Sequence, residues 1–315
     1  MIIDKLIDRI IELQNPTVVG LDPDPSYIPP CILKNSAHIH SDPMRALMHA
    51  IFIYNKMIMD ALHTIVPAVK PQMAFYEQYG AEGVACYIKT IEYAKKMGFI
   101  VICDIKRSDI ASSAIAYANA YLGEVDLYGH KRKMFDADFI TLNPYLGYDA
   151  VEPLIKQARE YDKGVFLLIK TSNPGAGDIQ DIETNQGKVY EIVADKVSKW
   201  GAGEIGSYGY SRVCAVVGAT HPGQAEALRK KYPNIFFLVP GFGAQGGGAD
   251  DAAVCFNPDG LGAIVNSARG IIAAYAQPGY KERMPDNHFD EAAKEAAIKM
   301  RDELCQKINM PKEKM

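Results

Sequence analysis

The sequence has few of the features that mark metal-binding, secreted or membrane proteins. Its 315 residues include six cysteines, but no two are spaced as C-x-x-C, so they indicate neither a zinc site nor a disulfide framework. Reduced thiols and a cytoplasmic location are the expectation. No apolar stretch approaches the roughly 20 residues that span a bilayer. Charges interrupt the apolar residues of the first eleven positions at helical spacing, which predicts an amphipathic N-terminal helix rather than a signal peptide.

An excess of positive charge is also missing. Lysine and arginine number 34 against 38 acidic residues, which gives a net charge of −4 and a pI near 6.0. Such a chain has no broad positive field for phosphodiester backbones, so a nucleic-acid partner is not expected. Hydrophobic residues make up 48% of the chain, enough to bury a large apolar core in an ordinary globular protein.

Short apolar runs recur along the chain and read as strands. Each run is nearly continuous rather than alternating, as expected of parallel strands covered by helices on one side and by neighbours on the other. The runs are 17–21, 65–69, 99–104, 139–142, 165–169, 213–217, 235–239 and 262–265. Helical periodicity appears between and after them, for example at 44–62, 83–97, 187–200 and 290–308.

This order predicts one α/β domain over residues 1–315, a (β/α)₈ TIM barrel with an extra N-terminal helix and loop insertions. A doubly wound open sheet is the main alternative, but eight regular units without a linker favour closure. Several strands end in polar residues and glycine- or proline-rich turns, and barrel enzymes hold their chemistry at these ends. The polar segment 178–187 is either part of a lid or disordered.

The third strand carries the strongest chemical signal. Because strand side chains alternate, Asp104 and Lys106 are expected on one face with Ile105 between them. Buried charges are costly unless they are paired, so two of them on a barrel strand favour a functional site. A buried ion pair that only fixes the strand is the structural alternative.

Three further residues have ordinary structural explanations. Asp109, like Ser108, is suited to cap the helix that follows. Lys70 at the end of the second strand can extend into solvent, and Asp22 before Pro23 can form a turn. Their joint position at successive strand ends favours a shared site instead.

These residues resemble the signature of the orotidine 5′-phosphate decarboxylase family, Asp-x-Lys-x-x-Asp on strand three with a lysine ending strand two. Lys70, Asp104, Lys106 and Asp109 match it, and similar segments lie at 20–22, 70–75, 171–176, 240–247 and 266–270. The chain looks like the longer subgroup of that family. The resemblance implies conversion of orotidine 5′-monophosphate to UMP and CO₂ in de novo pyrimidine biosynthesis, without a cofactor or metal.

The reaction implied by this resemblance leaves a carbanion on a ring carbon. A lysine ammonium stabilises that charge and donates a proton, whereas arginine is a poor acid. The resemblance implies that Lys106 is the donor and that Asp104 lies near the substrate carboxylate. It also implies that Asp109 and Ile110 enter the active site of the partner subunit in a homodimer.

Segment 241–246 fits the G-x-G-x-x-G dinucleotide fingerprint, but it follows the seventh strand instead of opening a βαβ unit. Barrels commonly bind phosphate in loops after strands seven and eight. The resemblance implies that Gln245 and Arg269 hold the phosphate, Asp22 the ribose and Ser172 the pyrimidine. The other expected substrate-binding residues are Gln72, Ser113, Asn143, Pro240, Gly246, Gly247 and Ala268.

Two other functions stay open at this point. A related barrel branch has the same Asp-x-Lys-x-x-Asp strand and acts on ketose phosphates with magnesium, but it carries a metal-binding acid where Lys70 stands. A non-catalytic nucleotide-phosphate binding protein could retain the fold. Intact Lys70, Asp104, Lys106 and Asp109 argue against it, because binding alone needs no proton donor beside an acid.

Overall fold

The computed structural model describes residues 1–243 and 246–311. Eight parallel strands pair in chain order, and the last pairs with the first to close a barrel. The strands are β1 Thr17–Leu21, β2 Ala68–Pro71, β3 Ile100–Arg107, β4 Phe139–Leu142, β5 Gly164–Lys170, β6 Val213–Val217, β7 Phe237–Val239 and β8 Ala263–Ser267. The predicted (β/α)₈ barrel is confirmed, and the open sheet is excluded.

Helices surround the barrel. The longer ones are α1 Ile2–Leu13, α2 Pro30–Ile39, α3 Pro43–Leu62, α4 Gly80–Lys96, α5 Ala111–Tyr121, α6 Tyr148–Glu160, α7 Val189–Trp200, α8 Pro222–Lys231 and α9 Phe289–Cys305. Shorter ones are Ala74–Glu77, Gly177–Gln180, Ala249–Ala253 and Arg269–Ile272. Two-stranded hairpins join Val125–Leu127 to His130–Arg132 and Glu183–Thr184 to Gly187–Lys188. Within the described ranges, no helix has the length and apolarity to cross a membrane.

The extra helix α1 closes the amino-terminal end of the barrel. Its apolar face, including Ile3, Leu6 and Ile7, is fully buried. These side chains belong to one apolar cluster with Phe139 and Phe166, which lie near the starts of β4 and β5. Because apolar side chains plug this end, access to the barrel interior is left to the carboxyl ends of the strands.

The outer layer packs the helices onto the strands. Helix α3 begins after Asp42, whose carboxylate accepts the backbone N–H of Arg45 at 2.9 Å, with Pro43 in the first turn. Helix α9 packs against α3, and the rings of Tyr54 and Phe289 stack 5.1 Å apart. The C-terminal helix therefore completes the ring of helices beside the first βα unit.

Some local expectations were wrong. Strand β2 begins three residues later than predicted and includes Lys70, so this lysine lies within the strand. The structural alternative for Asp109 and Ser108 does not apply either, because α5 begins at Ala111 and the capping position belongs to Ile110, without a side-chain cap. The segment 178–187 contains the end of a short helix and part of a hairpin.

Candidate active site

A cavity of about 580 Å³ opens at the carboxyl ends of the strands. It brings together Asp22 after β1, Lys70 from β2, and Asp104 and Lys106 from β3. Ser172 from the β5 loop and Pro240 after β7 also line it. Side chains that are far apart in the sequence thus meet in one place because the barrel gathers its strand ends.

An ion-pair chain runs across the cavity. The Nζ of Lys70 lies 2.7 Å from Oδ2 of Asp104, and the Nζ of Lys106 lies 2.6 Å from Oδ1 of the same carboxylate. Lys70 and Asp104 are buried, whereas the Lys106 side chain is 45% exposed. One carboxylate therefore orients two ammonium groups, of which only Lys106 faces the open part of the site.

The charges of this chain support one another. Burial favours neutral Asp104, but Lys70 and Lys106 outweigh it and hold the pKa of that carboxyl well below its usual range. Burial also opposes the charged form of Lys70, yet the carboxylates of Asp104 and Asp22 keep the pKa of the lysine above its ordinary value. The buried pair is therefore ionised at neutral pH.

The meeting of Asp104 and Lys106 does not arise from simple strand alternation. Between Cys103 and Arg107, β3 carries two more residues than the facing stretch of β4, so the register shifts. Lys106 has φ 46°, in the left-handed region that costs a non-glycine residue roughly 1–2 kcal/mol. The predicted proximity is present, but a bulge produces it.

The predicted residues of the next segment lie away from this cavity. Asp109 accepts the backbone N–H of Ile110 at 2.8 Å and forms no salt bridge with any described residue of its own chain. Ile110 and Ser113 are exposed, and neither lines the cavity. Of the four charged residues that match the family signature, Lys70, Asp104 and Lys106 therefore form a chain within one subunit, and Lys106 at its end is half exposed.

A second cavity of about 320 Å³ continues the first toward the end of β8. Asp22, Phe75, Pro240 and Asn266 line both cavities, and Ala268 and Arg269 line the second. The exposed Arg269 forms no salt bridge with the carboxylates that the structure describes. An arginine in this state can donate its planar fork to an anion.

Asp22 occupies the junction of the two cavities. Its Oδ1 is buried and has no hydrogen-bond partner among the described residues. Burial raises the pKa of Asp22, and the positive charge of Lys70 opposes that rise. A buried carboxylate oxygen without a partner is costly, so this position suits a ligand that donates hydroxyl groups.

The glycine-rich loop after β7 folds back on itself. The N–H of Gly246 donates to the carbonyl of Gly243 at 2.9 Å, and the N–H of Gly247 donates to that of Gly241 at 3.1 Å. A Cβ at Gly247 would lie 2.9 Å from the Gly241 carbonyl, so only glycine fits there. Gln245, expected to bind phosphate, lies outside the described residues.

The loop after β5 is anchored by a buried lysine. Lys170 at the strand end lies 2.8 Å from both carboxylate oxygens of Asp181. The side chain of Gln180 accepts the Thr171 N–H at 3.0 Å. These contacts join the residues just before Ser172 to the end of the loop that follows it, and so hold Ser172 at the cavity.

Two of the other expected substrate-binding residues, Gln72 and Asn143, have local partners. The side-chain oxygen of Gln72 accepts the N–H of Ala74 at 3.2 Å, although the residue still lines the cavity. Asn143 is exposed and accepts the N–H of Tyr145 at 3.1 Å, which stabilises the turn after β4. The structure does not place Asn143 among the lining residues of the main cavity.

Sequence reasoning missed two polar residues of the cavity. Asn266 on β8 is buried, and its Oδ1 has no partner among the described residues. Thr141 on β4 is buried beside Asp104. Each interrupts an apolar strand with a polar side chain, which is the signal that was available.

The chain is similar over most of its length to known proteins. A family model described as orotidine 5′-phosphate decarboxylase / HUMPS family matches residues 53–281. The orotidine 5′-phosphate decarboxylase of Clostridium novyi (strain NT) is 42% identical over 305 residues, which cover 96% of this chain and 98% of that protein. The protein of the same name from Caldicellulosiruptor bescii is 43% identical over 272 residues, covering 86% and 89% of the two chains. The solved structure of Leishmania donovani OMP decarboxylase matches with a TM-score of 0.69 and 29% identity, covering 96% and 98%.

The matched span 53–281 contains β2 to β8 and with them Lys70, Asp104, Lys106 and Arg269. The similarity to the bacterial relatives extends beyond that span to nearly the whole chain. On these grounds the chain belongs to the orotidine 5′-phosphate decarboxylase / HUMPS family.

Proposed function

We propose that the cavity at the mouth of the barrel converts orotidine 5′-monophosphate to UMP and CO₂, with Lys106 as the proton donor. The observation that carries this proposal is the Lys70–Asp104–Lys106 chain, in which a half-exposed ammonium is held on a buried, ionised carboxylate. The relatives named as decarboxylases, which match nearly the full chain, support the same reaction. The activity is that of a carboxy-lyase.

In the proposed reaction the bond between the pyrimidine ring carbon and the carboxylate carbon breaks. CO₂ leaves, and the bonding electron pair stays on the ring carbon. The ammonium of Lys106 stabilises this charge and then transfers a proton to form the C–H bond, which leaves a neutral amine for solvent to reprotonate. Because Asp104 already fixes Lys106 at 2.6 Å, little reorganisation is needed as the charge forms.

The remaining polar groups suit the two ends of a nucleotide. Arg269 lines the outer cavity without an ion-pair partner in the described chain, as a phosphate ligand requires. The Asp22 oxygen at the junction, which has no partner in the part of the chain that the structure describes, suits the ribose hydroxyls, and Ser172 lies at the pyrimidine end. Binding energy from the distant phosphate can then favour the transition state at the ring.

A homodimer with shared active sites belongs to the same proposal. Asp109, Ile110 and Ser113 lie at the start of α5 outside their own cavity, so a partner subunit is the place where they can serve. Large apolar side chains are exposed nearby, including Ile115 on α5 and Tyr148 on the adjoining α6. Exposed apolar groups of this kind favour a protein interface.

The activity is tested by incubating the protein with orotidine 5′-monophosphate in excess chelator and following the loss of ultraviolet absorbance. We expect turnover that chelation does not change. A protein that ignores this substrate but acts on a ketose phosphate after magnesium is restored would belong to the rival branch. Binding of the nucleotide without turnover would instead favour a non-catalytic binding protein.

The shared site is tested by mixing two inactive variants. Lys106→Ala and Asp109→Ala leave one intact site in each hybrid, so free subunit exchange should restore about a quarter of wild-type activity. Lys106→Ala mixed with Asp104→Asn is the matched control, because both changes fall in the same subunit's cavity and no intact site forms. Proven exchange without recovery in the first mixture would contradict the sharing.

A further inference from the structure

The backbone of Lys106 depends on one hydroxyl group. The Oγ1 of Thr141 accepts the N–H of Ile105 at 3.0 Å and the N–H of Lys106 at 2.9 Å. The same oxygen donates to Oδ1 of Asp104 at 2.8 Å. A hydroxyl has two acceptor positions and one proton, so these contacts use its whole capacity.

The position of Thr141 explains why this saturation is needed. It lies on β4 between Ile140 and Leu142, opposite the two extra residues of β3. In that bulge the amides of Ile105 and Lys106 donate to the Thr141 side chain rather than to a β4 carbonyl. Backbone N–H groups removed from water must be hydrogen-bonded. The threonine hydroxyl replaces the missing ladder contact for both amides at once.

The hydroxyl also couples the backbone to the charges. Because both acceptor positions receive backbone N–H groups, its proton is directed to Asp104. Oδ1 of Asp104 is the oxygen that also binds the ammonium of Lys106. One side chain therefore fixes Lys106 at its left-handed backbone and, through Asp104, at its reactive end.

We propose that Thr141 is a positioning residue for decarboxylation, holding Lys106 in the geometry of proton donation through its hydroxyl. This inference rests on the proposed function and adds a residue to it. Thr141 acts through Lys106 and Asp104, so its loss should lower the rate of the bound complex more than it weakens substrate binding.

The test compares Thr141→Val, which keeps the shape but removes the hydroxyl, with Thr141→Ser, which keeps the hydroxyl. We expect the valine variant to lose about 10- to 100-fold in kcat while KM changes by less than about threefold, since misplaced reacting groups cost rate. The serine variant should stay within about threefold of wild-type kcat. Valine at wild-type kcat, or serine as impaired as valine, would overturn the proposal.

A further variant guards against loss of folding. If Thr141→Val does not fold, Thr141→Cys supplies a weak donor of similar size, and its kcat should lie well below that of Thr141→Ser. Equal kcat for cysteine and serine would contradict a hydrogen-bonding role. A wild-type chain without decarboxylase activity would instead defeat the proposed function and this inference with it, whereas active wild type and an active valine variant would defeat this inference alone.

Discussion

Both ends of the barrel contain buried charge, but they use it differently. At the amino-terminal end, Asp136 and Asp138 share the ammonium groups of Lys95 and Lys163 at 2.8 to 3.3 Å. Each of these charges has a partner of opposite sign. The difference at the carboxyl end is that the cavity contains a half-exposed lysine and a carboxylate oxygen of Asp22 that has no partner within residues 1–243 and 246–311.

Charged residues that stabilise the fold and charged residues that serve a site look alike in a sequence. In the structure they differ in whether all their hydrogen-bonding and ion-pairing positions are already filled. A saturated cluster has nothing left to offer a ligand. Groups that keep unused donors or acceptors at a cavity are costly without a ligand and are therefore the ones to assign to binding or chemistry. Changes at the carboxyl end of the barrel should lower activity, and changes at the amino-terminal end should lower stability.

The largest expected effect on activity is at the carboxyl end of the barrel. Lys106→Ala should lower kcat/KM by about 10⁴-fold, because it removes both the proton donor and the charge beside the carbanion. Its unfolding free energy should change by about 1 kcal/mol or less, since the ammonium is half exposed. Steady-state kinetics and urea unfolding measure the two quantities. Lys156→Ala, an exposed change on α6, is the control, and near-normal turnover of the Lys106 variant would exclude it as donor.

At the amino-terminal end of the barrel, Leu6→Ala should lower stability and leave kcat nearly unchanged. Leu6 of α1 is fully buried against the amino-terminal end of the barrel, so the truncation should destabilise the fold by roughly 2–5 kcal/mol. The kcat of the folded fraction should stay within about twofold of wild type, because a plug distant from the cavity places no reacting group. A large loss of kcat without loss of stability would break the division between the two ends.

A smaller effect on activity is expected at Arg269. Arg269→Ala should lower kcat/KM roughly 100-fold, as expected for the loss of a charge-assisted contact to the phosphate. Arg301→Ala on α9 provides a matched change of charge outside the cavities. Addition of guanidinium ion should rescue the Arg269 variant in part. An unchanged kcat/KM would remove Arg269 from the phosphate site.

The smallest expected effect is the pH dependence of stability that comes from Asp136 at the amino-terminal end of the barrel. Burial opposes ionisation of Asp136, but Lys163 and Lys95 lower the pKa of its carboxyl to about 2. The folded state therefore gains stability from this group above pH 4 and loses it as the pH falls from about 4 toward 2. Asp136→Asn should cost about 1–2 kcal/mol of unfolding free energy at pH 6 and little near pH 2. The same cost at both pH values would show that ionisation is not the cause.

The barrel could be predicted because each strand is a nearly continuous apolar run, and three of them, including β1 and β4, match their predicted bounds. The proposed catalytic group could be located because Asp104 and Lys106 interrupt such a run with opposite charges, and the structure brings both to the cavity. The sequence predicts the start of β2 three residues too early, because 65–67 is as apolar as the strand itself. Packing in the folded barrel decides where strand pairing begins.

The bulge in β3 and the role of Thr141 could not be derived from the sequence. Thr141 is the one polar residue of an apolar run, but threonine is common in strands, so its presence in β4 does not indicate what its hydroxyl contacts. Only the register between β3 and β4 shows that its hydroxyl faces two unpaired amides. Neither Ser108 nor Asp109 occupies the capping position of α5, because the helix begins only at Ala111.

In the proposed mechanism, Lys106 meets the ring carbon as a proton donor already held by Asp104. A crystal structure of the protein with bound UMP is the decisive measurement. We expect the Lys106 Nζ within about 3.2 Å of the carbon that bore the carboxylate, still hydrogen-bonded to Asp104. A nucleotide seated on Arg269 with the Lys106 amine turned out to bulk water would exclude Lys106 as the donor.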